Sequence, residues 1–198
     1  MKEFALIGAG GFAREVQAHM GMTMPCFVDD SYWKPNADHI YPLSQFQPEK
    51  YKVLIAIGDS VARKEMVLKL PQNTQYFNFL HPSAQILNTA TVEIGEGSII
   101  CANTIITTDC KIGSHAHLNL GTTIGHDCVI GDFFTTAPTV SISGNCTIGD
   151  CVYVGTNASI REKISICSNV TIGMLSAVVK NIEKSGVYVG IPAKTLEK

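Results

Sequence analysis

The chain has 198 residues, of which 45% are hydrophobic, enough for a soluble fold with a buried core in one medium domain or two small ones. Its formal net charge of −2 comes from 15 basic and 17 acidic residues without a long run of either sign, which argues against nucleic acid or an anionic membrane as a partner. Seven cysteines, an odd number without a CxxC pair, predict reduced thiols and a cytoplasmic protein.

The first 80 residues predict a small α/β domain in which strands and helices alternate. The apolar stretch 4–11 is too short and too rich in glycine for a signal peptide or a membrane span, so no membrane insertion is expected. The predicted strands are 4–7, 26–28 and 53–57, and the predicted helices are 11–22 and 61–70. Because a residue before proline avoids helical geometry, His81-Pro82-Ser83 marks the junction between domains 1–80 and 81–198.

A glycine-rich turn, Gly8 to Ala13, connects the first strand to the first helix. Its glycines let a phosphate approach backbone N–H groups at the helix N-terminus. Asp29 and Asp30 follow the second strand, where acidic residues of a full dinucleotide fold bind a ribose. The unit has room for only about one mononucleotide half, which favours a nucleoside diphosphate over NAD. A nicotinamide oxidoreductase, or a turn that only packs helix on strand, stays as the alternative.

The remaining residues carry a repeat of six. The positions six apart are Ile94, Ile100, Ile106, Ile112, Leu118, Ile124, Ile130, Thr136, Ile142, Ile148, Val154, Ile160, Ile166, Ile172 and Val178. Fourteen of these fifteen are aliphatic, which chance would supply roughly once in two thousand trials if half of all positions were apolar. Neither a helix of period 3.6 nor a strand of period 2 gives this spacing, whereas a parallel β-helix does.

Three hexapeptides in one triangular coil would stack residues that lie eighteen apart. This register aligns Cys110, Cys128 and Cys146, which we therefore predict to be small buried wall residues. The alternative is an ordinary β-sandwich whose β-branched residues happen to look periodic.

His126 and Asp127 follow an aliphatic position and a glycine, at a predicted corner where side chains can leave the core. A histidine is the natural general base near neutral pH, and an adjacent carboxylate can hold its imidazole. A solvated surface histidine is the alternative, and His115 and His117 are rival bases. No Cys pair or acidic third ligand accompanies the histidines, so no metal is predicted. With no P-loop or nucleophile elbow either, a direct transfer without a covalent intermediate is favoured.

Six ordered segments resemble the sugar acetyltransferases of the sialic acid and bacillosamine type. They are Gly8-Ala9-Gly10-Gly11, Phe27-Val28-Asp29-Asp30, Ile55-Ala56-Ile57-Gly58, Leu80-His81-Pro82-Ser83-Ala84, the segment from Gly125 to Gly131, and the segment from Gly186 to Lys194. The resemblance covers nearly the whole chain and implies a Rossmann-like nucleotide domain followed by a left-handed parallel β-helix. It also implies a homotrimer with acetyl-CoA between adjacent β-helices, so that each site uses two chains.

The resemblance assigns roles to single residues. It makes His126 the base, Asp127 its supporting acid, Asn119 a neighbour of the acceptor, and Gly144 the N–H donor to the thioester carbonyl. It places Thr135, Thr156 and Met174 at the acetyl-CoA site, and Gly10, Gly11, Phe12, Asp29, Asp30 and Gly58 at the nucleotide-sugar site. Many members have histidine at the position of Thr135 and some at that of Phe12, so the identity of the substrate stays open.

The sequence thus predicts acetyl-CoA-dependent N-acetylation of an amino group on a UDP- or dTDP-linked 4-amino-deoxysugar. O-acetylation of a sugar such as sialic acid is the nearest alternative. A noncatalytic β-helix that serves as a scaffold or a binding surface is a further one.

Overall fold

A computed structural model of the protein describes residues 2–35 and 37–196. The chain divides into one unit that ends at Asn78 and a second that begins at Phe79, compared with the predicted boundary after residue 80. The strand Phe79–Leu80 belongs to the second unit because it pairs in parallel with Ile99–Ile100. Within the described ranges, no helix combines the length and the apolar character needed to cross a bilayer.

The N-terminal unit is a five-stranded parallel sheet with two α-helices. Its elements are β1 (Glu3–Ile7), α1 (Gly11–Met20), β2 (Cys26–Val28), β3 (Ile40–Pro42), a 3-10 helix (Leu43–Gln45), β4 (Tyr51–Ile55), α2 (Ser60–Lys69) and β5 (Gln75–Tyr76). The strand order is β3-β2-β1-β4-β5, and β1 pairs with β4 over five residues. The predicted small α/β domain is confirmed, with its carboxyl strand ends on one edge, where such sheets bind ligands.

Several element boundaries differ from the prediction. Helix α1 ends at Met20 rather than at residue 22, because Gly21 adopts a left-handed conformation with φ 64° and closes the helix. Strand β4 ends at Ile55, two residues before the predicted end. Strands β3 and β5 and the 3-10 helix were not predicted, since two or three residues are too few to show a period.

The C-terminal unit is a parallel β-helix with three faces, as the repeat predicts. The first face contains Phe79–Leu80, Ile99–Ile100, His117–Leu118, Thr135–Thr136, Tyr153–Val154, Val170–Ile172, Gly186–Val189 and Lys194–Thr195. The second contains Gln85–Ile86, Ile105–Ile106, Thr123–Ile124, Ser141–Ile142, Ser159–Ile160 and Ala177–Val178. The third contains Glu93–Ile94, Lys111–Ile112, Val129–Ile130, Thr147–Ile148 and Ser165–Ile166.

Residues eighteen apart stack in register and form the core of the β-helix. Ile124, for example, pairs with Ile106 on one side and with Ile142 on the other, and all three are buried. The one polar residue of the aliphatic series, Thr136, is also buried. Its hydroxyl lies 2.7 Å from that of Thr122, which satisfies both groups inside the core.

The three cysteines of the predicted ladder are fully buried, which confirms that prediction. Each thiol donates to a backbone carbonyl fifteen residues on, with sulfur to oxygen distances of 3.1 Å for Cys110, 3.3 Å for Cys128 and 3.3 Å for Cys146. Burial raises the pKa of the Cys110 thiol. The ladder therefore fills the wall with small, buried side chains.

The corners of the β-helix share one backbone feature. A left-handed residue recurs at every sixth position, namely Gly97, Asn103, Asp109, His115, Gly121, Asp127, Phe133, Thr139, Asn145, Cys151, Asn157, Lys163, Asn169 and Leu175. This conformation costs roughly 1–2 kcal/mol for a residue with a side chain. The hydrogen bonds between coils hold it in place, so the direction of each corner side chain follows from its position in the hexapeptide.

We expect Ile148→Ala to lower the free energy of unfolding by about 2–5 kcal/mol, because Ile148 is a buried member of the aliphatic stack. Thr147→Ala is the matched control, since Thr147 is the exposed neighbour in the same strand, and its effect is expected within about 0.5 kcal/mol. Urea denaturation of both variants measures the difference. Equal effects would contradict the inward and outward assignment of this strand.

Candidate active site

His126 and Asp127 form an exposed pair at the edge that follows the second face. The imidazole Nδ1 lies 2.7 Å from Asp127 Oδ2, and the two side chains are 57% and 55% exposed. Because a carboxylate can only accept, Nδ1 carries the proton, and in the neutral imidazole Nε2 has the free lone pair. Asp127 is the left-handed corner residue, with φ 58°, a conformation that Asp tolerates better than most residues. The pair therefore presents a basic nitrogen outside the core.

Gly144 stacks on His126 one coil further on. A Cβ on Gly144 would lie 2.7 Å from His126 Nε2 and 2.8 Å from Cε1, so only glycine lets the ring lie against this backbone. The coil is fixed on both sides, since Asn145 N–H donates to the His126 carbonyl at 2.8 Å and Lys163 N–H donates to the Gly144 carbonyl at 3.0 Å. Nε2 and the Gly144 backbone are thus held next to each other.

Gly144 is the second residue after the aliphatic position of its hexapeptide. The backbone N–H groups at this position do not take part in the backbone-to-backbone hydrogen bonds between coils. At another edge, side chains of the following coil accept from them: Asp132 accepts from Ser114 N–H at 2.7 Å, and Asp150 from Asp132 N–H at 2.9 Å. Among the described residues, the Gly144 N–H has no acceptor of this kind. It is a donor that the fold itself does not use.

The rival histidines have different surroundings. His115 and His117 are both buried, and the His115 ring stacks on Phe133 with centroids 5.2 Å apart. A substrate in solution therefore reaches the exposed His126 far more readily than the buried His115 or His117. Among the described residues, no group of three or more His, Cys, Asp or Glu side chains is arranged to hold a metal ion.

The other predicted residues of the β-helix lie elsewhere in the chain. Asn119, Thr156 and Met174 follow strands of the first face and therefore lie on the edge after it, and Thr135 is a buried residue within that face. His126 and Gly144 lie one whole face further along the coil. Within a single chain, the residues of the first face and its edge therefore lie on a different edge from His126 and Gly144.

The N-terminal unit contains a cavity of about 580 Å³ at the carboxyl ends of its central strands. Its lining includes the glycine turn after β1, the end of β2 and the start of the following loop, and side chains of α2. The lining residues are Gly8, Ala9, Gly10, Phe27, Val28, Asp29, Tyr32, Lys34, Ala37, Ile40, Ile57, Ala62, Glu65, Met66 and Lys69. This volume lies within the range of pockets that bind small molecules.

The glycine turn approaches the neighbouring strand closely. Gly8 has φ 109°, and a Cβ there would lie 2.9 Å from the carbonyl oxygen of Ala56. Helix α1 begins at Gly11 directly after this turn, with Gly10 as its N-cap. The N-terminal end of α1, where N–H groups have no partner within the helix, therefore lies at the cavity.

The predicted nucleotide residues divide into two groups. Gly10 and Asp29 line the cavity, whereas Gly11, Phe12, Asp30 and Gly58 each lie within two residues of a lining residue. Asp30 Oδ1 accepts from Ser44 N–H at 2.9 Å and so holds the start of the 3-10 helix. The hydrogen bond from the Ser44 side chain, followed by that from its N–H, lowers the pKa of the Asp30 carboxyl. Asp29 is consequently better placed than Asp30 to contact a molecule in the cavity.

Lys69 is a cavity residue that the sequence does not single out. Its Nζ lies 2.9 Å from Asp29 Oδ2, while Asp29 Oδ1 accepts from the N–H and hydroxyl of Ser31. The hydrogen bond from Lys69, followed by those from Ser31, lowers the pKa of Asp29 to about 2. Asp29 is therefore a fixed carboxylate at neutral pH, and Oδ2 retains lone-pair capacity for one further donor.

Arg63 positions the loop after β4. Its buried guanidinium donates to the carbonyls of Ile57 at 2.8 Å and Gly58 at 3.2 Å. Asp59 caps α2 by accepting from Ala62 N–H at 2.7 Å. These contacts fix the wall that Ile57 and Ala62 contribute to the cavity, next to Gly58.

The family described as "PglD N-terminal domain" matches residues 3–70. WeeI from Acinetobacter baumannii AYE is 30% identical to this chain, with a TM-score of 0.86 and coverage of 99% of this chain and 100% of that one. The likeness thus extends over both units.

Two further solved structures are similar over almost their whole length. The acetyltransferase domain of PglB from Neisseria gonorrhoeae FA1090, in complex with acetyl coenzyme A, is 25% identical with a TM-score of 0.84 and 98% coverage of each chain. PerB from Caulobacter crescentus, in complex with CoA and GDP-perosamine, is 26% identical with a TM-score of 0.84, covering 98% of this chain and 97% of that one.

We expect Lys69→Met to raise the pKa of Asp29 from about 2 toward its ordinary value of 3.8, because the main stabilising partner of the carboxylate is lost. Since the folded-state pKa lies below the unfolded one, the Asp29 contacts stabilise the unit above about pH 4, and this contribution is lost as the pH falls toward 2. An NMR titration of the Asp29 carboxyl carbon measures the shift. Lys34→Met, which removes the other lining lysine, should leave it unchanged, and an identical titration in wild type and Lys69→Met would contradict the assignment.

Proposed function

The chain belongs to the hexapeptide-repeat sugar acetyltransferases with a PglD-type N-terminal domain, and we propose that it N-acetylates a nucleotide-linked 4-amino-deoxysugar with acetyl-CoA as donor. The proposal is supported most directly by the position of His126, whose Nε2 lies 2.7 Å from where a Cβ of Gly144 would be and whose Nδ1 lies 2.7 Å from Asp127 Oδ2. A base and an unused N–H donor at one point are what an acyl transfer to an amine requires.

The proposed reaction is a direct displacement. The sugar amine attacks the thioester carbonyl while His126 Nε2 accepts its proton, and the N–C bond forms. The oxyanion that develops accepts from the Gly144 N–H, and Asp127 stabilises the imidazolium. The C–S bond then breaks, and the proton on His126 passes to the thiolate of coenzyme A. Holding both substrates together contributes a large part of the rate.

The nucleotide is assigned to the cavity of the N-terminal unit. The turn from Gly8 to Gly10 and the start of α1 offer N–H groups to a diphosphate, and Asp29 Oδ2 can accept from a ribose hydroxyl. Gly11, Phe12, Asp30 and Gly58 shape this site from adjacent positions. The complex of PerB with CoA and GDP-perosamine supports an amino sugar attached to a nucleotide as the acceptor.

Acetyl-CoA is assigned to a groove between two chains of a homotrimer of left-handed β-helices. Thr135, Thr156 and Met174, proposed for the donor, and Asn119, proposed for the acceptor, belong to the first face or its edge, one face away from His126. A neighbouring chain in a three-fold ring can bring its first edge against the second edge of this one. The acetyl coenzyme A complex of PglB supports the donor.

A cytoplasmic setting is part of the proposal. All seven cysteines lie in the described residues and are free thiols, six of them buried, as is usual in a reducing compartment.

We expect His126→Gln to lower kcat for acetyl transfer by about 10² to 10⁴, because no other group takes the amine proton. Asp127→Asn should lower it less, and Asp109→Asn is the matched control, since Asp109 holds the same corner position one coil earlier. Release of the coenzyme A thiol is measured with UDP-, dTDP- and GDP-linked 4-amino sugars and with free sialic acid.

Full activity of His126→Gln on the best of these acceptors would remove His126 from the mechanism. Acetylation of sialic acid alone would replace N-acetylation by O-acetylation.

Sedimentation equilibrium should give three times the chain mass of 21.4 kDa, because the donor and base edges of one chain face apart. A fully active monomer would contradict the two-chain site.

A further inference from the structure

Tyr32 has a large, solvent-exposed aromatic side chain at the cavity of the N-terminal unit. It lines the cavity and is 80% exposed, more than any other large apolar or aromatic residue described. Trp33, which follows it, has a different role, since its indole N–H donates to the Ile40 carbonyl at 3.1 Å. The ring of Tyr32 is thus available to a bound molecule rather than to the core.

The turn that carries Tyr32 is held by Asp29. Tyr32 N–H donates to the Asp29 carbonyl at 2.8 Å, and the Ser31 N–H and hydroxyl donate to Asp29 Oδ1 at 3.2 and 2.7 Å. In such a turn the Cα atoms of the first and fourth residues lie within roughly 7 Å. The Asp29 carboxylate, itself fixed by Lys69, and the Tyr32 ring therefore form one positioned group.

The shape of a nucleotide determines what reaches this group. If the diphosphate lies at the turn from Gly8 to Gly10 and a ribose hydroxyl donates to Asp29, the base, bonded to the neighbouring ribose carbon, extends only a few ångström beyond Asp29. The Tyr32 side chain is long enough to span this distance and contact the base. The adjoining wall contains Val28, Ala37 and Ile40, apolar groups suited to the other side of a flat ring.

We propose that Tyr32 binds the nucleobase of the substrate by stacking. The proposal rests on the nucleotide-sugar function above and adds a residue that fixes the end of the substrate farthest from the reacting amine. Stacking requires only the face of the ring, so the phenol hydroxyl is not needed and bases of different kinds can be accepted. Asp29 then contacts the ribose and Tyr32 the base.

The test compares Tyr32→Ala and Tyr32→Phe in the intact protein. Binding of UDP, dTDP and GDP is measured by calorimetry, and kcat and KM by thiol release with the nucleotide amino sugar that the wild type uses best. We expect Tyr32→Ala to weaken binding and raise KM about tenfold with kcat little changed, as for the loss of one stacked base, and Tyr32→Phe to remain within about twofold of wild type. Leu68→Ala is the control, because Leu68 is 78% exposed on α2 and does not line the cavity.

Two results overturn the assignment of Tyr32 alone: wild-type affinity in Tyr32→Ala, or an equal loss in Tyr32→Phe. A wild-type protein that binds none of the three nucleotides and acetylates no nucleotide sugar removes the proposed function as well. Thermal melts of each variant separate loss of the stack from loss of the fold.

Discussion

The register of eighteen residues between coils is the constraint on which the C-terminal unit depends. Parallel pairing at this spacing stacks each aliphatic side chain on its equivalents and requires a left-handed residue at every sixth position. The corner backbone is thereby fixed independently of the side chains that it carries. His126 and Asp127 occupy such a corner, so their direction is set by the same hydrogen bonds that stabilise the coil.

The edges of the β-helix differ in whether side chains accept hydrogen bonds from the corner N–H groups. At the edge after the third face, Asp132 and Asp150 accept from the N–H groups of the preceding coil. At the edge after the second face, Gly144 offers no side chain and the His126 ring lies against it. The two edges therefore differ in that a glycine replaces an acceptor side chain beside His126.

The aliphatic repeat made the β-helix and its cysteine ladder predictable, because period six and register eighteen are visible in the sequence itself. The same register places Gly144 on His126. By contrast, the pairing of Lys69 with Asp29 joins residues forty positions apart, and no local pattern indicates it. The turn that presents Tyr32 is likewise stabilised by hydrogen bonds that only the folded chain reveals. Short strands such as β3 and β5 escaped prediction because they span less than two full periods.

The most direct measurement is a crystal structure of the protein with coenzyme A and the nucleotide amino sugar that it acetylates. The expected arrangement has the sugar amine at about 3 Å from His126 Nε2 and the sulfur of coenzyme A beside Gly144, in a groove to which a second chain also contributes contacts. An amine bound next to His115 or His117, or a coenzyme A sulfur on an edge that lacks His126, would contradict it.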